Sequence, residues 1–223
     1  MAKTGIGLIE ILALVAILLP LIPVFIIFIF RAYKHEALSL LMVFCLLSFI
    51  QNLILYIPGF IPINSLFIRA TFQLSHFVIL LLLLRMIVKG RWLREGLKVL
   101  LVSFFSVVIT VYGLRGVGPY FRTIEMLQAF FLIGITLVAL FQLIRKQDLF
   151  IFNSPMFWIV AGTFFYYSMF LLTQSLPEYN PVIAGIPYQQ KRVLLLIIIL
   201  IQYLFYTIAA AVSRDKIIEK QIY

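Results

Sequence analysis

Seven apolar stretches, near 6–30, 37–57, 66–88, 97–114, 121–144, 156–176 and 193–213, take up almost all of this 223-residue chain. The hydrocarbon core of a bilayer is about 30 Å thick, and a helix needs roughly 20 apolar residues to cross it. The spacing therefore predicts an all-α integral membrane protein, a bundle of seven transmembrane helices forming a single domain over residues 1–223. Composition supports the same class: charged residues make up 12% of the chain, against roughly 25% in soluble domains. The first stretch outlasts the roughly 7–15 apolar residues of a signal peptide and no small-residue cleavage site follows it. It is read as the first helix.

A net charge of +10 invites a nucleic-acid reading, but that needs a basic patch on a folded domain. Here the charges sit in short connections, where Lys and Arg concentrate on the cytoplasmic side. One set of connections carries Arg31, Lys34, Lys89, Arg91, Arg94, Lys98, Arg145 and Lys146, joined by Arg85 and by Arg214, Lys216 and Lys220 in the tail. The other set carries Lys3, Arg69, Arg115, Arg122, Lys191 and Arg192, so the split is twelve to six. It predicts an N-terminus outside and a C-terminus in the cytoplasm. The basic segment KGRWLREGLK, with Trp92 at its centre, suits anionic lipid headgroups or an acidic partner, and Trp158 and Tyr188 suit interface anchoring.

Pro20 and Pro23 remove backbone donors near the middle of the first helix and predict a bend there. Between the second and third spans, PGFIPINS reads as an uncharged outer turn. The sixth connection carries Pro177, Pro181 and Pro187, which forbid a continuing helix and suit a lid over the outer face. No three-helix repeat of the kind many transporters show is visible.

Ionisable and amide groups inside spans are costly and usually face the bundle interior. Arg69, Gln73 and His76 are spaced by four and three residues, so they share one face of the third span. Gln51 and Asn52 close the second span, Glu125 and Gln128 follow Arg122 in the fifth, Tyr166, Tyr167 and Gln174 lie in the sixth, and Gln202 lies in the seventh. Nearly all fall in the outer half, whereas the inner half holds chiefly Gln142, Tyr206 and Thr207. This asymmetry predicts an outward-facing polar pocket for a small ligand, lined by Gln51, Asn52, Arg69, Gln73, His76, Glu125, Gln128, Tyr167, Gln174 and Gln202. Interhelical hydrogen bonding is the competing role for each. For Arg122, close to its helix start, snorkelling to the interface competes as well.

Catalytic classes fare poorly. A zinc site needs about three protein ligands, but the chain has only two histidines, and His35 lies in the first cytoplasmic connection, far from His76. The seventh span has no lysine for a retinal Schiff base, and the only aspartates, Asp148 and Asp215, lie at the cytoplasmic surface. Glu10 and Glu125 could act together only if their helices meet. The single cysteine, Cys45, reads as a small packing residue. No catalytic residue, metal or cofactor is therefore expected.

The stretch Asn153–Gln174, NSPMFWIVAGTFFYYSMFLLTQ, resembles the sixth span of small bacterial seven-helix proteins of the sensor-domain type, whose larger relatives feed histidine kinases. The resemblance covers one helix and carries no site residues. It implies a receptor-like protein in the bacterial inner (plasma) membrane, with lipids, a small ligand from the outer side, and a signalling partner or oligomer as its contacts. A small-solute transporter and a non-catalytic subunit of a membrane complex are the alternative expectations.

Overall fold

The structure, a computed structural model, describes residues 7–56, 65–146, 151–175 and 188–222, and every regular element among them is helical. The α-helices are α1 (Leu8–Leu18), α2 (Leu21–Ile29), α3 (Glu36–Tyr56), α4 (Ser65–Ile87), α5 (Arg91–Arg115), α6 (Phe121–Lys146), α7 (Pro155–Ser175) and α8 (Tyr188–Ile222), with short 3-10 turns at Ala32–Lys34 and Ile151–Asn153. With α1 and α2 counted as one span, seven helices among the described residues are long and apolar enough to cross a membrane. By length and composition this is a multi-pass membrane protein. The second connection, most of the sixth with its prolines and expected lid, and Asp148 lie outside the described residues.

The proline pair accounts for the division of the first span. Leu19 donates to the Val15 carbonyl at 2.9 Å, Pro20 has no N–H to offer, and Ile22 then reaches only three residues back, to Leu19 at 3.1 Å. Leu19 and Pro20 keep right-handed helical dihedrals, so the hydrogen-bond ladder is interrupted there without the backbone leaving the helical region. At the other end of α2, Arg31 takes a left-handed conformation (φ 54°) and ends the helix.

α2, α3, α4, α6, α7 and α8 form a closed circuit of neighbours, each packed on the next, with α1 continuing α2 against α8 and α3. α5 stands outside the circuit and packs chiefly on α4, where Phe104 meets Phe77 at 4.6 Å between ring centroids. Its outward side exposes Val99, Val102, Val107, Ile109 and Leu114. Apolar surface on this scale is stable facing lipid or another protein and unstable in water. α5 begins six residues before its apolar stretch, because Gly90 (φ 112°) supplies the turn that starts it. Arg94 Nε then ties that first turn back to the Val88 carbonyl at 3.0 Å.

The bundle has two unlike ends. At the apolar end, where α4 and α6 finish and α7 starts, the core consists of Ile27, Leu38, Leu41, Leu80, Leu83, Leu84, Ala139, Ile159, Val160, Ala209 and Ala210. Polar side chains there are tied to backbone. Gln142 accepts from the Lys89 N–H at 2.7 Å and donates to its carbonyl at 3.1 Å, which pins α6 to the α4–α5 turn. Thr207 donates to Tyr203 at 2.8 Å. Trp158 donates its indole N–H to the Phe152 carbonyl at 2.7 Å and packs on Phe157 and Phe205, so it braces α7 against α8.

Candidate functional site

At the polar end, where α4, α6 and α8 begin, the circuit encloses a cavity of about 380 Å³. All ten residues expected to form a pocket border it: Gln51 and Asn52 from α3, Arg69, Gln73 and His76 from α4, Glu125 and Gln128 from α6, Tyr167 and Gln174 from α7, and Gln202 from α8. The helical repeat explains how they meet. On α4 and α6 the polar positions lie three or four residues apart, and on α7 seven apart, spacings that keep them on one stripe of each helix.

The floor is aromatic, and its Ser48, Thr163 and Tyr206 hydroxyls are hydrogen-bonded. Ser48 gives its hydroxyl proton to the Phe44 carbonyl at 2.9 Å and its oxygen meets His76 Nε2 at 2.9 Å. With that proton committed, Ser48 acts as acceptor, which in a neutral ring makes Nε2 the protonated nitrogen and leaves Nδ1 as the acceptor. The Phe44 ring packs on His76 at 4.8 Å and, edge-on, on Tyr206 at 5.7 Å. One turn below the cavity, Gln202 Nε2 donates to the Tyr206 hydroxyl at 2.9 Å, which meets the Thr163 hydroxyl at 2.9 Å, and Thr163 donates to the Ile159 carbonyl at 2.8 Å. The chain of donors ends on a helix carbonyl and leads no further toward the apolar end.

Higher up, the groups are less committed. Arg122 does not border the cavity, nor is it simply turned outward: half-buried, it donates to Gln174 Oε1 at 3.1 Å and so steadies one wall. Glu125 lies within electrostatic reach of both Arg122 and Arg69. Gln73 and Arg69 make no hydrogen bond to another described residue. The most unusual group is Gln128, 2% exposed, whose Nε2 has no hydrogen-bond partner among the described residues. Buried amide nitrogens are normally paired.

Three hydroxyl-bearing lining residues were not among the ten: Ser48, Tyr166 and Tyr203. Ser48 lies three residues before Gln51 on the same helical face, so spacing alone could have found it. Glu10 lies elsewhere, exposed, accepting from the Gly7 N–H at 3.2 Å to cap α1, and it does not border the cavity that Glu125 lines. His35 is exposed in the connection before α3, and Cys45 is buried in the core. Among the described residues no three His, Cys, Asp or Glu gather as a metal site would require. Comparison with protein-family models, with curated proteins and with solved structures finds no match for the chain.

Proposed function

We propose that this protein is a membrane-embedded receptor of the sensor-like kind. Its polar pocket faces outward and takes a small ligand, and its response passes to a separate partner in the cytoplasm or membrane. The observation that carries this reading is the buried Gln128 amide, whose nitrogen has no partner among the described residues, in the wall of a cavity lined by twelve other polar side chains. A network built only to join helices gains by pairing every donor, because an unpaired buried one costs about 1–3 kcal/mol. A binding site leaves donors waiting. The apolar core below the cavity supports a receptor over a transporter, since a translocated polar solute needs a route through it. The loop charges support an N-terminus outside and a C-terminus in the cytoplasm, and the resemblance of α7 to bacterial sensor-type proteins supports the inner membrane as its location.

The reading is tested by thermal melting of the purified protein in detergent against a library of small polar metabolites. A ligand raises the melting temperature in a saturable way because it binds only the folded state. Gln73→Met should leave the ligand-free melting temperature close to wild type and abolish the ligand-dependent shift. A Gln73→Met protein that is less stable without ligand, yet retains wild-type shifts, would return this cluster to a packing role.

A further inference from the structure

α5 meets α4 through Phe104 and Phe77, near the middle of each helix. Toward the polar end a second cavity, of about 310 Å³, lies between the same two helices. α4 lines it with Ala70, Leu74 and Val78, and α5 lines it with Phe105 and Tyr112. Its two aliphatic hydroxyls are committed to backbone: Thr71 donates to the Phe67 carbonyl at 3.0 Å and Ser75 to the Thr71 carbonyl at 2.9 Å. Such walls suit an apolar occupant. Phe67, which borders the cavity, is 57% exposed, and Thr71 beside it is exposed as well. The groove therefore opens to the surroundings of the bundle, which for a multi-pass protein are hydrocarbon.

The dimensions favour a lipid chain over a second copy of the protein. Phe67 to Val78 is a rise of about 16 Å along α4, close to half of a hydrocarbon core about 30 Å thick. The groove thus runs the depth of one leaflet. A helix with its side chains is about 10 Å across, too wide to enter. At the polar end Arg115 follows Tyr112 by one turn and is exposed. Its Nη1 donates to the Tyr120 hydroxyl at 2.6 Å and its guanidinium lies over that ring, 5.6 Å from the centroid. That contact fixes the group with one of its five N–H donors engaged. A phosphate accepts two parallel N–H bonds from such a fork. Tyr112, aromatic with a polar tip, is of the kind that sits at headgroup level.

We propose that the groove between α4 and α5 holds one anionic phospholipid, its acyl chain against Ala70, Leu74 and Phe105 and its phosphate at Arg115. This site is separate from the polar cavity and does not depend on that cavity taking a ligand. The probes are dioleoyl phosphatidylglycerol and dioleoyl phosphatidylcholine, titrated onto the full chain after delipidation in detergent. Bound lipids are counted by native mass spectrometry, and melting without lipid checks that each variant is folded. The wild-type protein should take one phosphatidylglycerol ahead of any other lipid, with about fivefold preference over phosphatidylcholine. Thr71→Trp, which fills the groove, should abolish this first binding, whereas Val107→Trp on the outward side of α5 should keep it. Ser75→Phe, one turn deeper, serves as the groove-filling variant if Thr71→Trp does not fold. Arg115→Gln should bring the two lipids to equal affinity, and Arg115→Lys should retain most of the preference. A wild-type protein without a distinct first lipid, or a folded groove-filling variant that still binds it, overturns the site. A preference unchanged in Arg115→Gln overturns the place of the phosphate. A dimer whose formation expels the lipid would give the groove to a second copy and overturn the proposal.

Discussion

Tyr206 and Gln128 illustrate two opposite uses of a buried polar group. The Tyr206 hydroxyl joins Gln202 on its own helix to Thr163 on α7, both at 2.9 Å. Tyr206→Phe would strip Gln202 Nε2 of this partner, and we expect a loss of about 1–3 kcal/mol of stability in chemical denaturation. Gln128→Met is expected to have the opposite sign and to raise the melting temperature slightly, since the Gln128 Nε2 has no partner among the described residues. Both residues are polar positions in apolar helices, and sequence alone does not separate them. Depth and face were legible, because a 3.6-residue period places Arg69, Gln73 and His76 on one stripe. Pairing was not legible, because it depends on which helix stands opposite. Gln142 shows the same limit: its partner is the backbone of Lys89, fifty-three positions away in the chain.

Among the elements, α7 and α8 approach each other closely at Gly162. A β-carbon added at Gly162 would lie 2.7 Å from Phe205 Cβ and 3.4 Å from Tyr206 Cε1. Phe205 Cβ is fixed to its backbone and cannot swing away, so Gly162→Ala must push the two helices apart. Overpacking of this kind costs about 1–3 kcal/mol, and we expect a melting temperature lower by a few degrees. The displaced helices would also stretch the Thr163–Tyr206 bond one residue on. The positions of most helices were evident from apolar length, and the split of the first span follows from Pro20 and Pro23. The early starts of α5 and α8 were not evident, because Arg91–Gly96 and Tyr188–Arg192 are polar enough to read as connections. Hydropathy reports where a helix is greasy, and hydrogen bonding continues beyond that.

At the scale of the whole molecule, the closed circuit of six spans with α5 outside it could not be read from the chain, because apolar spans of similar length carry no label for their neighbours. Orientation is the property of the whole that the sequence addresses most directly, through its loop charges. With Cys45→Ala as background, a membrane-impermeant thiol reagent should label Asn180→Cys but spare Lys220→Cys in intact cells. The reverse pattern would invert the protein in the membrane. α8 connects these scales. Leu195, Ile199, Gln202 and Tyr203 stand in the cavity wall, and the same helix runs on to Ile222, about 30 Å past Gln202. Between Tyr188 and Ile222 there is neither proline nor glycine, whereas the first span is jointed at Pro20. A rod without a joint cannot absorb a twist or a thrust applied at one end. It delivers that motion to its far end.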